Sequence, residues 1–253
     1  MELNKRGQVA IFVIVAIVIV GLIVLGVMFY PEIQGVLGVE LNPQSYLKGC
    51  VEPIVVEGVA LLSKQGGYQN PEGFIVHDGE KVKYLCYTNA DYETCVVQEP
   101  AVKDRFESEL KAIVEPRAVE CGRNLKAEYE SRGYGVSAGN VDAEVSIVPD
   151  KIGIKFVAPM TITKDTSETF REFDVSIESE MYELLYTAQS IVDFESEYGD
   201  SETTLYLQYY PELKIEKNKL GDGTTIYKLS NVITEEEFTF ASRSLAWPPG
   251  YGV

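Results

Sequence analysis

From residue 8 to residue 30 the chain carries no charged side chain, and this run constrains everything that follows it. As a helix rising about 1.5 Å per residue it reaches about 34 Å, enough to cross a hydrocarbon core of about 30 Å. Val13, Ile14, Val15, Ile17, Val18, Ile19 and Val20 give it a strand-like composition. A lone strand in lipid would leave its backbone groups unpaired, so helix is the expected state. Phe29 and Tyr30 stand where interfacial aromatics belong, and Pro31 and Glu32 mark the exit into water. Lys5 and Arg6 precede the run, which puts the N-terminus in the cytoplasm and everything after Tyr30 outside. A secretory signal peptide would have a shorter apolar region, about 7 to 15 residues, followed by a small-residue cleavage site. Gly26-Val27-Met28-Phe29-Tyr30-Pro31 is a poor match to such a site.

The expected organisation is therefore a basic cytoplasmic leader at 1–7, a single transmembrane helix at 8–30, a hinge at 31–43 and an extracellular domain at 44–253. Pro31, Gly35, Gly38 and Pro43 define the hinge. Within the extracellular part, 44–133 and 134–253 are candidate subdomains.

Lys5-Arg6-Gly7-Gln8, followed by an uninterrupted apolar helix, resembles the class III signal peptide of archaeal type IV pilins and archaellins. The resemblance implies cleavage between Gly7 and Gln8 on the cytoplasmic side, with the apolar helix retained and Gln8 as the mature N-terminus. It also implies a cell-surface protein able to form a homo-oligomer or filament through residues 8–30. Two features depart from the pattern. The hinge interrupts the helix before the head, and the fifth mature position, a glutamate in many bacterial pilins, is Phe12.

The chain has 39 acidic and 22 basic residues and a net charge of −17. Such a surface repels phosphates, so no nucleic acid is expected as a partner. Solubility, salt tolerance and loose divalent-cation binding are its expected consequences. No Asn-x-Ser/Thr sequon occurs.

Cys50, Cys86, Cys95 and Cys121 all fall on the predicted outer side, and an even count there points to two disulfides. Residues 83–87 and 93–97 read as paired strands around Thr88-Asn89-Ala90-Asp91, bringing Cys86 close to Cys95. Cys50 is then left for Cys121. A zinc site is disfavoured, because there is no C-x-x-C pair and His77 is the single histidine.

The head reads as an α+β domain: an antiparallel sheet covered by amphipathic helices. Leu47, Cys50, Ile54 and Leu61 recur at helical spacing until Gln65-Gly66-Gly67-Tyr68 stops the helix. Val102, Phe106, Leu110 and Ile113 mark a second helix that Pro116 is expected to kink or restart before Cys121, Leu125 and Tyr129. Ala143, Val145 and Ile147 alternate, Pro149-Asp150 turns the chain, and Ile152, Ile154 and Phe156 alternate on the return. From Asp174 the period becomes helical, with Ile177, Met181, Leu184, Ala188 and Ile191 on one stripe. Gly221-Asp222-Gly223 turns a later hairpin, and Phe238 and Phe240 lie in a last strand. The order of a Cys50 helix ending at Gln65-Gly66-Gly67-Tyr68, a kinked Cys121 helix and a Phe238-Thr239-Phe240-Ala241 strand resembles a group of uncharacterised exported proteins from small-genome archaea.

Catalytic motifs are absent from the sequence: there is no G-x-S-x-G, no phosphate-binding glycine loop and no H-E-x-x-H. His77 is the only imidazole for a nucleophile to use, and a surface histidine is its expected role. No cofactor and no metal are expected. The acidic run from Asp193 to Glu202 superficially resembles a calcium loop, but its offsets do not fit an EF-hand, and a solvated helix end is expected. Tyr206, Tyr209 and Tyr210 are candidates for a partner-facing patch. Taken together, the sequence leads to a membrane-anchored cell-surface structural or adhesion protein with protein partners at the surface. An accessory subunit of a membrane secretion or pilus-assembly complex is the alternative, and an extracellular enzyme ranks third.

Overall fold

A computed structural model describes residues 41–246, together with Val15 and residues 18–20. The predicted span at 8–30 lies outside the described residues apart from those four, as does the Gly7–Gln8 junction. Among the described residues no helix is long and apolar enough to cross a membrane. The head forms one compact unit from Pro43 onward. It is α+β, as its alternating periodicities predict, and it is closed by two disulfides.

Helix α1 runs Pro43–Lys64 and helix α2 runs Val102–Ser131. They pack on each other, and Cys50–Cys121 joins them with a Cα–Cα separation of 6.1 Å. Gly58 permits the close approach, since a Cβ there would sit 2.8 Å from the Leu110 side chain. The buried stripe of α1 is Leu47, Val51, Val55, Val59 and Leu62. This corrects the sequence register: Ile54 is half-buried and Leu61 is exposed. Two apolar stripes compete on α1, and the stripe facing α2 and the sheets wins. Of the two expectations for Pro116, a kink or a restart, the restart does not occur: helix α2 passes through Pro116 without ending. Pro116 is exposed, while Leu110, Val114, Ala118, Cys121 and Leu125 bury one continuous face on both sides of it. That burial outweighs the backbone hydrogen bond the proline cannot make.

The first sheet has the order β1-β2-β10-β9-β8, with β3 also on β2. Its strands are β1 (Phe74–His77), β2 (Glu80–Tyr87), β3 (Val96–Val97), β8 (Leu213–Lys219), β9 (Thr224–Asn231) and β10 (Glu237–Arg243). All pairs are antiparallel except β2 with β10. The central strand β10 buries Phe238, Thr239, Phe240, Ala241 and Ser242 in succession, as a strand covered on both faces must. Cys86 is in register with Val97 rather than Cys95, so β3 is shorter than the predicted partner strand. Cys95 lies just before it, and Cys86–Cys95 still forms with a Cα–Cα separation of 5.3 Å.

The second sheet is built on one long strand, β6 (Lys151–Thr163). On one edge it pairs with β5 (Asp142–Val148) and β4 (Gly135–Ala138), on the other with β7 (Ser167–Glu178). The predicted hairpin is present, with Ile147 opposite Ile152. Residues 174–178, expected to begin a helix, belong to β7. Phe173, Val175 and Ile177 alternate there against β6, and that pairing outcompetes the helical spacing. A register shift between Val157 and Met160 accommodates Pro159, which has no N–H for a ladder. Helix α3 (Met181–Tyr198) covers β10, β9, β2 and β3, and the short helix α4 (Thr204–Tyr209) follows it.

Cys50–Cys121 closes a loop 71 residues apart in sequence and Cys86–Cys95 one of 9. Replacing Cys50 and Cys121 with alanine is expected to cost roughly 4 kcal/mol by loop-closure entropy, more than removing the short bridge. Denaturant titration of the two double variants tests this order, and equal losses would contradict it.

Candidate functional site

The densest acidic segment is partly buried, which corrects the expectation of a solvated helix end. Glu195 continues the apolar stripe of α3 one turn beyond Ile191 and is 1% exposed. The Tyr227 hydroxyl donates to Glu195 Oε1, and Ser242 Oγ donates to Oε2 at 3.2 Å. Ser242 Oγ also lies 3.6 Å from Cys95 Sγ, so this network adjoins the short disulfide. Nearby, Asp200 pairs with Lys217 and, at 2.6 Å, with Lys219. Burial raises the Glu195 carboxyl, with Asp200 adding to the rise, against the Tyr227 and Ser242 hydrogen bonds and the Lys217 charge. Burial and the Glu195 carboxylate raise the Tyr227 phenol, which stays protonated and donating.

A second carboxylate is buried at the junction of α1, β2 and α2. Gly66 and Gly67 end α1 in left-handed conformations, φ +67° and +87°, which glycine alone adopts without strain. The turn delivers Tyr68, whose hydroxyl donates to Glu99 Oε2 at 2.5 Å. Arg105 Nε donates to the same oxygen at 2.9 Å, and the Ala101 N–H reaches Oε1 at 3.2 Å. Burial opposes ionisation of Glu99, but these donors outweigh it and hold its carboxyl below the usual range. Burial, reinforced by Glu99, pushes the Tyr68 phenol up to about 12. The Glu195 network pins α3 to β9 and β10, and the Glu99 network pins the start of α2 to the Tyr68 turn.

The surface of α3 and α4 is different. Tyr182 and Tyr186 meet in a tilted pair at 4.6 Å between ring centres on α3, and Phe194 and Tyr198 form a second tilted pair at 5.5 Å more than two turns further along. Tyr206 of α4 meets Ser190 of α3 through their hydroxyls at 2.7 Å, fixing the short helix to the longer one. Around that contact Tyr186, Tyr198, Leu205, Tyr209 and Tyr210 each have more than half their surface in water, and Tyr209 is 79% exposed. Helix α4 buries none of its residues. Of the three tyrosines singled out in the sequence, Tyr209 and Tyr210 face solvent, while Tyr206 holds the patch in place. The exposed aromatic residues of α3 add to those the sequence suggested. Their i,i+4 spacing was visible, but the side of α3 that would stay uncovered was not.

His77 lies on β1 with its Nε2 3.5 Å from the Asp78 carboxylate. All four cysteines are in disulfides, so no thiol is available to it. Among the described residues no group of three His, Cys, Asp or Glu side chains is placed to hold a metal ion. The residues thus define a disulfide-closed α+β head whose most distinctive exposed feature is an aromatic surface. No protein family, curated protein or solved structure matches the chain.

Because the folded-state carboxyl of Glu195 is raised, its contribution is fully present below the unfolded value and is lost as pH rises through the folded value. Glu195→Gln keeps an acceptor for Tyr227 and removes the charge. It is expected to flatten the fall in stability with rising pH, measured as midpoint of chemical denaturation from pH 4 to 8. Tyr227→Phe leaves a buried oxygen unpaired and should cost about 1–3 kcal/mol. Parallel pH profiles for Glu195→Gln and wild type would refute the assignment.

Proposed function

We propose that the chain is a membrane-anchored cell-surface structural or adhesion protein. In this reading residues 8–30 anchor it, a pilin-type peptidase removes residues 1–7, and the disulfide-closed head meets protein partners outside the cell. The observation that carries the proposal is the exposed aromatic surface of α3 and α4. Clustered exposed aromatic side chains of this kind mark interaction sites, and tyrosine supplies contact area at low conformational cost. Two disulfides suit an oxidising compartment. Among the described residues, His77 has an Asp78 carboxylate beside it and no thiol, which gives catalysis no comparable support.

The test uses the native full chain in its cell. Intact mass is expected to begin at Gln8, and retention of Met1 would refute pilin-type export. Replacing Tyr186, Tyr198 and Tyr209 together with serine should preserve surface display and abolish cell-surface cross-links to partner proteins. Unchanged cross-linking would remove α3 and α4 from the interface. Recovery in sheared surface fractions would identify a filament, while release only by detergent would identify an anchored subunit.

A further inference from the structure

A cleft of about 270 Å³ opens between α2, the loop joining β4 to β5, and the bulged part of β6. Its floor is apolar: Leu47 and Val51 from α1, Phe156 and Met160 from β6, and Phe173 from β7. Ala118 and Gly122 make one wall, and their small size leaves the space open. A Cβ on Gly122 would meet only Val141, at 3.9 Å. At the other end, Gly139 is held against β6 by a 2.8 Å hydrogen bond to the Pro159 carbonyl.

The charge around this cleft opposes that of the molecule as a whole. The chain has a net charge of −17, and three other surface clefts are each bordered by several carboxylates. No Asp or Glu lines this one, and its mouth carries Arg123, Lys126 and Asn140. Arg123 is exposed and forms no ion pair with any described residue. Lys126 has only a 3.8 Å contact with Glu130, a surface pair of little energetic weight. Arg123 and Lys126 are three residues apart on α2 and so share a side of the helix.

We propose that this cleft binds a free long-chain alkyl carboxylate, with the chain between α2 and β6 and the carboxylate on Arg123 and Lys126. The volume lies just below the range of about 300–1,000 Å³ usual for ligand pockets, which suits one slender chain and not two. A guanidinium takes a carboxylate in a bidentate pair, and the Asn140 amide supplies a further donor. The negative field of the whole molecule disfavours anions generally, so affinity for this one depends on burying its chain.

The experiment uses the full-chain protein in nanodiscs of zwitterionic lipid and a diazirine-bearing tetradecanoate as photoprobe. Label is expected on the peptides containing Gly122 and Met160, with tetradecanoate competing and tetradecanol competing at least about tenfold less well. Gly122→Leu fills the cleft with a better helix former and should abolish labelling. Arg123→Glu with Lys126→Glu changes only mouth residues and should weaken labelling at least about tenfold even if the first variant fails to fold. Equal competition by tetradecanol, or labelling unaffected by the charge reversal, would overturn the proposal. Stronger competition from anionic phospholipid in the disc would assign the cleft to a membrane lipid instead. Label bridging two copies of the chain would assign it to self-association, which equally overturns the proposal.

Discussion

The packing of α1 on α2 is the contact on which the rest of the head depends. α1 touches β7 of one sheet and β10 and β2 of the other, while α2 touches β4, β5 and α3. Neither sheet has a complete hydrophobic face without this pair. The pair in turn depends on Gly58, where any side chain would strike Leu110, and on the bridge from Cys50 to Cys121. One buried stripe on each helix serves both purposes, which is why Pro116 on the exposed side of α2 is tolerated.

A chain this acidic has to decide what to do with carboxylates that fall inside. Glu99 and Glu195 are both buried, yet their environments move them in opposite directions. Glu99 is met by a guanidinium, a phenol and a backbone amide, and these donors stabilise its charge. Glu195 is met by two hydroxyls beneath α3, with Lys217 beyond, and desolvation prevails. The difference lies in the partners, since a full positive charge in direct contact offsets burial and a neutral hydroxyl does so only in part.

Two surfaces then differ in character. The exposed aromatic residues of α3 and α4 are interleaved with the exposed acids Asp193, Glu197 and Glu202. The cleft beside α2 is narrow, apolar and cationic at its mouth, suited to a small amphiphile. They involve different helices, so occupation of one does not require the other.

The sequence by itself determined the α+β class, the β5–β6 and β8–β9 hairpins and the last strand, because strict alternation and turn glycines are local signals. It also pointed to two disulfides and to tyrosines on α4. Its helical reading of residues 174–178 failed because Ile177 and Met181 fit a helix as well as Val175 and Ile177 fit a strand, and only pairing with β6 separates the two. The extension of β6 past Phe156 was hidden by Pro159, whose cost is absorbed by a bulge that no local rule specifies. The parallel pairing of β2 with β10 joins segments more than 150 residues apart, and nothing in either segment names its partner. The candidate sites were legible in the same proportion. Tyr209 and Tyr210 were visible as residue types, but whether a side chain is covered depends on what else packs there. Arg123 and Gly122 become a cleft only when α2 meets the β4–β5 loop, and Glu195 becomes buried only when α3 settles on β9 and β10. Spacing along the chain fixes which residues share a face; tertiary structure decides which face is closed, because burial is set by residues far away in sequence.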